Sequence, residues 1–218
     1  QVTDRASRLT NQLLAFSRQS STQLEVFDVD VALDALAPML RRLIGDHVRV
    51  ELVLDARPGV VPLDRGLLEQ AVVNLALNAR DAMPTGGHLV LRSAVREGRV
   101  VVEVRDDGAG MSREVRENAL EPFFTTKERG KGTGLGLAMV YGFVEQSGGQ
   151  LHIDSELGRG TSVELSFPRS ERRPELGAMV IGASRDRTES QDATASGEML
   201  RTTVLVVDDD PLVLQTLA

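Results

Sequence analysis

Two kinds of apolar spacing alternate along the chain between Val26 and Phe167, one at every second residue and one at every third or fourth, and this is the stretch that can build a core. A short strand is predicted around Val26 to Val29. Behind it Leu33, Leu36, Leu40 and Ile44 share one side of a helix that Pro38 is expected to kink or restart. Val48, Val50, Leu52 and Leu54 alternate with polar neighbours, as in a half-buried strand. Asp64 is placed to cap a long helix running to about Met83, with Leu67, Leu68, Val72 and Leu75 as its apolar cover, and Pro84 with the Gly86-Gly87 pair stops it. Strands follow at Leu89 to Val95 and Val100 to Asp106, joined at Glu97-Gly98 in hairpin style. A glycine-rich region then leads into a helix from about Leu135 to Gln146, ended by Gly148-Gly149, before strands near Leu151 to Ser155 and Thr161 to Phe167. These elements sum to an α+β, two-layer sandwich: a mixed, mostly antiparallel sheet with helices on one face.

The flanks have a different character. In residues 1 to 22 the apolar positions Val2, Ala6, Leu9, Leu13 and Phe16 step by four and three, the heptad spacing of a coiled-coil-like helix. Such a helix packs either on other helices or on its own domain, and periodicity alone does not separate the two. The core domain is expected to span residues 24 to 169. Residues 170 to 202 are rich in Arg, Glu, Ser, Thr and Ala with no sustained period, as in a flexible linker. Val204 to Val207 then form a buried-strand run that ends in Asp208, Asp209 and Asp210, the start of a second domain within residues 203 to 218.

Composition narrows the chemistry. With 218 residues, 41% hydrophobic and 26% charged, the chain has material for one globular domain with appendages. Its net charge of -7 provides no broad basic field, so no direct contact with nucleic acid or anionic lipid is expected, and any phosphate must be held in a local site. Cysteine is absent, which excludes disulfides, thiolate nucleophiles and cysteine-held metals and agrees with a reducing cytoplasm, the expected location. No apolar run approaches the roughly 20 residues of a membrane helix, so no membrane contact is expected within this sequence. The start at Gln1, without a methionine or a signal pattern, reads as the edge of an excised fragment.

Local patterns carry the candidate chemistry. Asn74 and Asn78 stand four apart on the long helix and share a face. An asparagine carbonyl is a neutral, hard oxygen suited to Mg²⁺ that already carries waters and triphosphate oxygens, but two solvated surface amides would look the same. Val100, Val102, Val104 and Asp106 lie on one strand face, so a carboxylate points where three valines point and needs a donor. The chain continues as Asp106-Asp107-Gly108-Ala109-Gly110, where glycines let backbone approach a flat ligand and the first carboxylate can accept from an exocyclic amine such as adenine N6; an ordinary acidic turn is the alternative. Gly130, Gly132, Gly134 and Gly136 punctuate GKGTGLGL ahead of a helix, where free N–H groups, the helix N-terminus and Lys131 make a phosphate cradle, or else a flexible connector. The spacing is not that of a P-loop. Pro122-Phe123-Phe124-Thr125-Thr126-Lys127 precedes it, and the paired phenylalanines read as a hinge or cover over a nucleotide, or as core packing.

NLALNARDAM, DDGAGM, EPFFTTK, GKGTGLGL and GRGTSVELSFP occur in the order and spacing of the N, G1, F, G2 and closing boxes of histidine-kinase catalytic domains, and the chain resembles that family over nearly its whole length. The resemblance implies the Bergerat (GHKL) ATP-binding fold, with ATP and Mg²⁺ as ligands. It implies Asn78 as the Mg²⁺ ligand, Asn74 as a supporting polar group, Asp106 as the adenine selector, and Gly108 and Gly110 as close-approach glycines. Phe123, Phe124, Lys127, Lys131, Gly132, Thr133, Gly134, Leu135, Gly136 and Thr161 complete the implied ATP site. Residues 1 to 22, with LLAFSR, resemble the second helix of the dimerisation and phosphotransfer hairpin, which implies a homodimer. VLVVDDDP resembles the first strand of a receiver domain, with Asp208 and Asp209 as Mg²⁺-binding acids once that domain is complete. The whole is similar to a hybrid sensor histidine kinase, which passes the γ-phosphoryl group of Mg-ATP to a histidine and on to an aspartate of a receiver domain or response regulator. There is one departure. Many members carry lysine three residues after the Mg²⁺ asparagine, whereas this chain has Asp81, leaving Lys127, Arg129 and Lys131 as substitutes for the phosphate contact.

The same residues rank the alternatives. Gyrase-like ATPases of this fold place a glutamate general base four residues before the Mg²⁺ asparagine, and here that residue is Asn74, which cannot take a proton. A serine kinase of the anti-sigma type leaves the heptad helix and the receiver-like tail unexplained, and a pseudokinase leaves the intact boxes without a use. None of His47, His88 and His152 is followed by Glu or Asp as a phosphoacceptor would be. All three read as structural, and the phosphorylated histidine is expected outside this sequence.

Overall fold

The structure, a computed structural model, describes residues 23–127 and 132–170. The heptad stretch 1–22, Arg129 and Lys131, and everything from residue 171 onward, including Asp208 and Asp209, lie outside the described residues. β1 (Leu24–Asp28) pairs antiparallel with β3 (Val60–Asp64) as a separate two-stranded sheet, and α1 (Val29–Ile44) follows β1 without a gap. Asp28 makes that junction, because its carboxylate accepts from Asp30 N at 2.9 Å and caps the helix. Val29 is thus the first helical residue rather than the end of a strand: the cap outweighs its β-branched preference. Pro38 does not interrupt α1. It lies on the exposed side, where the carbonyl of Asp34 that loses its donor can be hydrated.

β2 (Val48–Asp55), β4 (Gly87–Arg96), β5 (Arg99–Asp106), β7 (Gly160–Pro168) and β6 (Gln150–Glu156) form a five-stranded sheet in that spatial order. The β2–β4 pair is parallel and the others are antiparallel. A parallel pair needs a crossover, which β3 and α2 (Arg65–Ala82) supply. α1, α2 and α4 (Gly136–Gln146) pack on the sheet, and the core between the layers takes Leu33 and Leu40 from α1, Leu68 and Val72 from α2, Val140 and Val144 from α4, and Leu165 and Phe167 from β7. Strand alternation in β5 buries Val100, Val102 and Val104 and then delivers Asp106 to the same interior face at the strand's end.

Two elements escape the apolar pattern. β3 buries Val60, Val61 and Leu63 but is five residues long with Pro62 inside it, and α3 (Arg113–Asn118) is six residues long with none buried, so neither shows a sustained period. Leu67 is 40% exposed instead of covering α2, whose buried stripe runs through Leu68, Ala71, Val72, Leu75, Ala76 and Ala79. A buried carboxylate absent from every motif, Asp30, ties α1 to the sheet: it accepts from Ser93 Oγ on β4 and from Ala56 N at 3.2 Å. Among the described residues no helix is long and apolar enough to cross a membrane.

Candidate functional site

α2, the ends of β5 and β7, α3 and the start of α4 line an open cavity of about 1030 Å³. One end is built on Asp106, which is 8% exposed. Its Oδ1 accepts from Gly108 N at 2.9 Å, and Thr161 N, on the neighbouring strand in register, also donates to the carboxylate. Burial pushes the Asp106 pKa above the ordinary carboxylate value; the two N–H donors oppose that, and the adjacent Asp107 adds to it. A carboxylate has lone pairs beyond these two bonds, which leaves it able to accept from a ligand's amine. Asp107 works in the opposite direction, accepting from His88 N at 2.7 Å and so pinning the loop to β4.

The glycines beside Asp106 answer first to the protein's own backbone. A Cβ on Gly108 would stand 2.7 Å from the Ala82 carbonyl, and one on Gly110, at φ +63, would overlap the Glu156 carbonyl. Ala109 N donates to Ala82 O at 3.0 Å and Gly158 N to Ala109 O at 2.8 Å, which seals the loop between α2 and the β6–β7 turn. Gly110 still lines the cavity, but Gly108 does not. Its expected close approach is to the end of α2 rather than to the cavity.

The other end is built on side chains. Asn74 and Asn78 both line the cavity, so the shared helix face turns inward. Gln70 Nε2 donates to Asn74 Oδ1 at 3.2 Å, and Lys127 Nζ stands 3.5 Å from Asn78 Oδ1. The same ammonium donates to Asp81 Oδ2 at 2.7 Å. Burial raises the Asp81 pKa, but the hydrogen bonds and charges of Lys127 and Arg80 prevail and hold it below the ordinary value. Phe124, Gly132, Thr133, Gly134, Gly136 and Thr161 also line the cavity. Phe123 N donates to Gly134 O at 2.9 Å, and a Cβ on Gly134, at φ +66, would overlap the Phe123 backbone, so the stretches on either side of 128–131 lie against each other.

Phe123 and Leu135 fall outside the cavity lining. Phe123 has φ +69 and is 66% exposed, turned outward by the backbone it shares with Gly134, while Phe124 takes the inner side. Leu135 is the residue ahead of α4. Met111, Val115, Ala119 and Leu137 form apolar lining that the sequence reading did not single out. Met111 directly follows the glycines of the Asp106 loop and was within reach of that motif, whereas Val115 and Ala119 sit on or beside a helix too short to show a period. None of the three histidines lines the cavity. Among the described residues no three His, Cys, Asp or Glu side chains could together hold a metal ion. An ion beside Asn78 would therefore take most of its oxygen ligands from a polyphosphate and water, as Mg²⁺ commonly does.

The sequence profile of histidine kinase-, DNA gyrase B-, and HSP90-like ATPases matches residues 63–171, half of the chain, and the chain belongs to this family. Sensor kinase CckA of Brucella abortus (strain 2308) is 40% identical over 229 residues, covering 98% of this chain and 24% of that protein. Sporulation kinase D of Bacillus subtilis (strain 168) is 31% identical over 169 residues, covering 76% of this chain and 33% of that protein. The chain thus spans a third or less of the length of these two relatives. Among solved structures, the mycobacterial sensor histidine kinase MprB superposes with a TM-score of 0.58 at 28% identity, over 66% of this chain and 97% of that one. Full-length ShkA, in complex with AMPPNP, gives a TM-score of 0.65 at 26% identity, over 76% and 36%. The Bergerat α+β fold of histidine-kinase catalytic domains is the fold of the described residues.

Proposed function

We propose that this domain binds Mg-ATP along the cavity, adenine against Asp106 and phosphates toward Asn78 and Lys127, and passes the γ-phosphoryl group to a histidine on a dimerisation hairpin for relay to a receiver aspartate. One observation carries the reading: a nearly buried carboxylate acceptor lines the same cavity as an amide oxygen with an ammonium beside it. A nucleotide has the matching polarity, an amine-bearing base at one end and a polyanion at the other. The AMPPNP complex of ShkA supports an adenine nucleotide as the ligand. The resemblance of residues 1–22 to a dimerisation helix and of 203–218 to a receiver strand supports a homodimeric hybrid kinase, and the dimer and the acceptor domain belong to this proposal.

The chain's own residues divide the work. Asp106 accepts from the exocyclic amine, and Met111 and Leu137 offer apolar cover to the base. Asn78 would contribute an oxygen to Mg²⁺, whose charge would offset that of the phosphates. The N-terminus of α4 at Gly136 contributes partial positive charge on the phosphate side. Asn74 carries an amide that cannot take a proton, so it cannot serve as a base, water is left unactivated and transfer is favoured over hydrolysis. Transfer needs a nucleophile in line at about 3 Å, and no histidine lines this cavity.

The test is to incubate the chain with γ-labelled ATP and Mg²⁺, with and without a separately made dimerisation hairpin from the parent protein. Label is expected on the hairpin alone, lost in acid and retained in alkali as for phosphohistidine. Strong labelling of this chain by itself, or rapid ATP turnover indifferent to the hairpin, would overturn the reading in favour of a serine kinase or an ATPase.

A further inference from the structure

Asp81 places a negative charge at the end of the cavity assigned to a polyanion, and on charge alone it should weaken binding. Its partners indicate a different use. Arg80 donates to Asp81 Oδ1 through Nε at 3.1 Å and Nη2 at 2.7 Å, and its Nη1 reaches the Leu43 carbonyl at 3.3 Å, so the carboxylate is oriented from the C-terminal end of α1. Oδ2 is left for Lys127, which donates to it at 2.7 Å while standing 3.5 Å from Asn78 Oδ1. Among the described residues the cations lining the cavity are Arg80 and Lys127, and Arg80 is committed to Asp81 and Leu43. Lys127 is the one already lodged against the amide that the nucleotide reading assigns to the metal.

We propose that Asp81 is a positioning residue, holding the Lys127 ammonium beside Asn78 so that it meets the nucleotide's phosphates already ordered. The inference rests on the Mg-ATP reading above. An ammonium has three N–H donors; Asp81 takes one and Asn78 Oδ1 a second at 3.5 Å, so the third can turn to a phosphate oxygen without breaking the pair. A free lysine would lose its rotamer freedom on binding; here Asp81 and Asn78 already restrict it. The aspartate and the loop lysine together thus do the work of a lysine carried on α2 itself.

The experiment is calorimetry on the full chain with a non-hydrolysable ATP analogue plus Mg²⁺, and separately with adenosine. Asp81→Asn should weaken the analogue about fivefold, although it removes a negative charge, and leave adenosine within about twofold. Lys127→Met should lose at least as much, and Asp81→Asn should weaken nothing further in that background. Asp81→Lys combined with Lys127→Met, which moves the cation onto α2, should recover most of the affinity. Unchanged or tighter analogue binding by Asp81→Asn overturns the inference, and so does an equal loss for adenosine, which would mean general damage to the domain. A wild-type chain that binds no ATP analogue defeats the nucleotide reading and this inference with it, a result distinct from a failure at Asp81.

Discussion

The two ends of the cavity are held by different kinds of bond. Around Asp106 the contacts are largely main-chain: Gly108 N and Thr161 N on the carboxylate, Ala109 N on Ala82 O, Gly158 N on Ala109 O. Around Asn78 they are side-chain contacts, and Lys127 and Asp81 are each about a third exposed. Main-chain bonds within a sheet and its flanking turns cannot be re-aimed without breaking the fold. Ion pairs at that exposure contribute roughly 0–1 kcal/mol each and can be exchanged for a ligand's charges. A flat base recognised by one amine needs a fixed acceptor, whereas a triphosphate that loses a group during the reaction needs contacts that can be remade.

The largest effects should come from forcing a Cβ into each end. Gly110→Ala sets a methyl on the Glu156 carbonyl at φ +63, wedging apart the Asp106 loop and the β6–β7 turn. A loss of about 3 kcal/mol or more in urea unfolding is expected, because neither side of the clash can move independently. Gly134→Ala has nearly the same φ, +66, and overlaps the Phe123 backbone, but that stretch is less bound to the core. It should lose about 1–2 kcal/mol of stability, with a clear loss of ATP affinity. Equal stability losses in the two variants would break the distinction between a rigid and an adjustable end.

Asp106→Asn sharpens the same contrast by separating affinity from stability. It turns one acceptor oxygen into a donor facing the adenine amine, and a mismatched buried pair of this kind costs about 1–3 kcal/mol, roughly a fivefold to 150-fold loss of ATP affinity by calorimetry. Stability should move the other way. Because the folded-state pKa of Asp106 is raised, the folded protein takes up the proton more readily than the unfolded chain, and keeping the carboxylate ionised at neutral pH weighs against folding. The asparagine variant should therefore unfold at higher urea than wild type at pH 7. The gap should shrink as pH falls through the folded pKa toward 3.8, where wild type also becomes neutral. A gap that widens on acidification would show that the two backbone donors, not burial, dominate.

How far the sequence could foresee this depends on which forces leave a periodic trace. The interior face of β5 was legible down to Asp106, since a period of two across a buried strand admits one register. The cap at Asp64 was legible too, and its carboxylate accepts from Leu67 N at 3.1 Å. β3 and α3 were not: β3 is short and interrupted by Pro62, and α3 is short with no residue buried. The glycine roles were legible only in part. The motif pointed to a close approach at Gly108, expected toward a ligand, but it takes the fold to show that the neighbour is the Ala82 carbonyl. Asp81 was recognisable as a departure, but its pairing with Lys127, 46 residues away, is set by tertiary structure alone.

The smallest expected effect concerns Phe123, which the EPFFTTK resemblance assigns to the nucleotide site and the fold turns outward. A non-glycine residue in the left-handed region is disfavoured by about 1–2 kcal/mol, and at 66% exposure the ring recovers little of that through burial. Phe123→Gly relieves the strain but loses about 0.5–1 kcal/mol to the greater freedom of glycine in the unfolded chain. The net should be a gain of a few tenths up to about 1 kcal/mol in urea unfolding. Phe123→Ala is the control, because it removes the ring and keeps most of the backbone strain, so it should give no gain. Both variants should bind the ATP analogue as tightly as wild type, since Phe124, not Phe123, lines the cavity. If instead either loses affinity on the scale of Asp106→Asn, the ring folds in over the bound nucleotide, and the adjustable end of the cavity extends one residue further than the lining residues indicate.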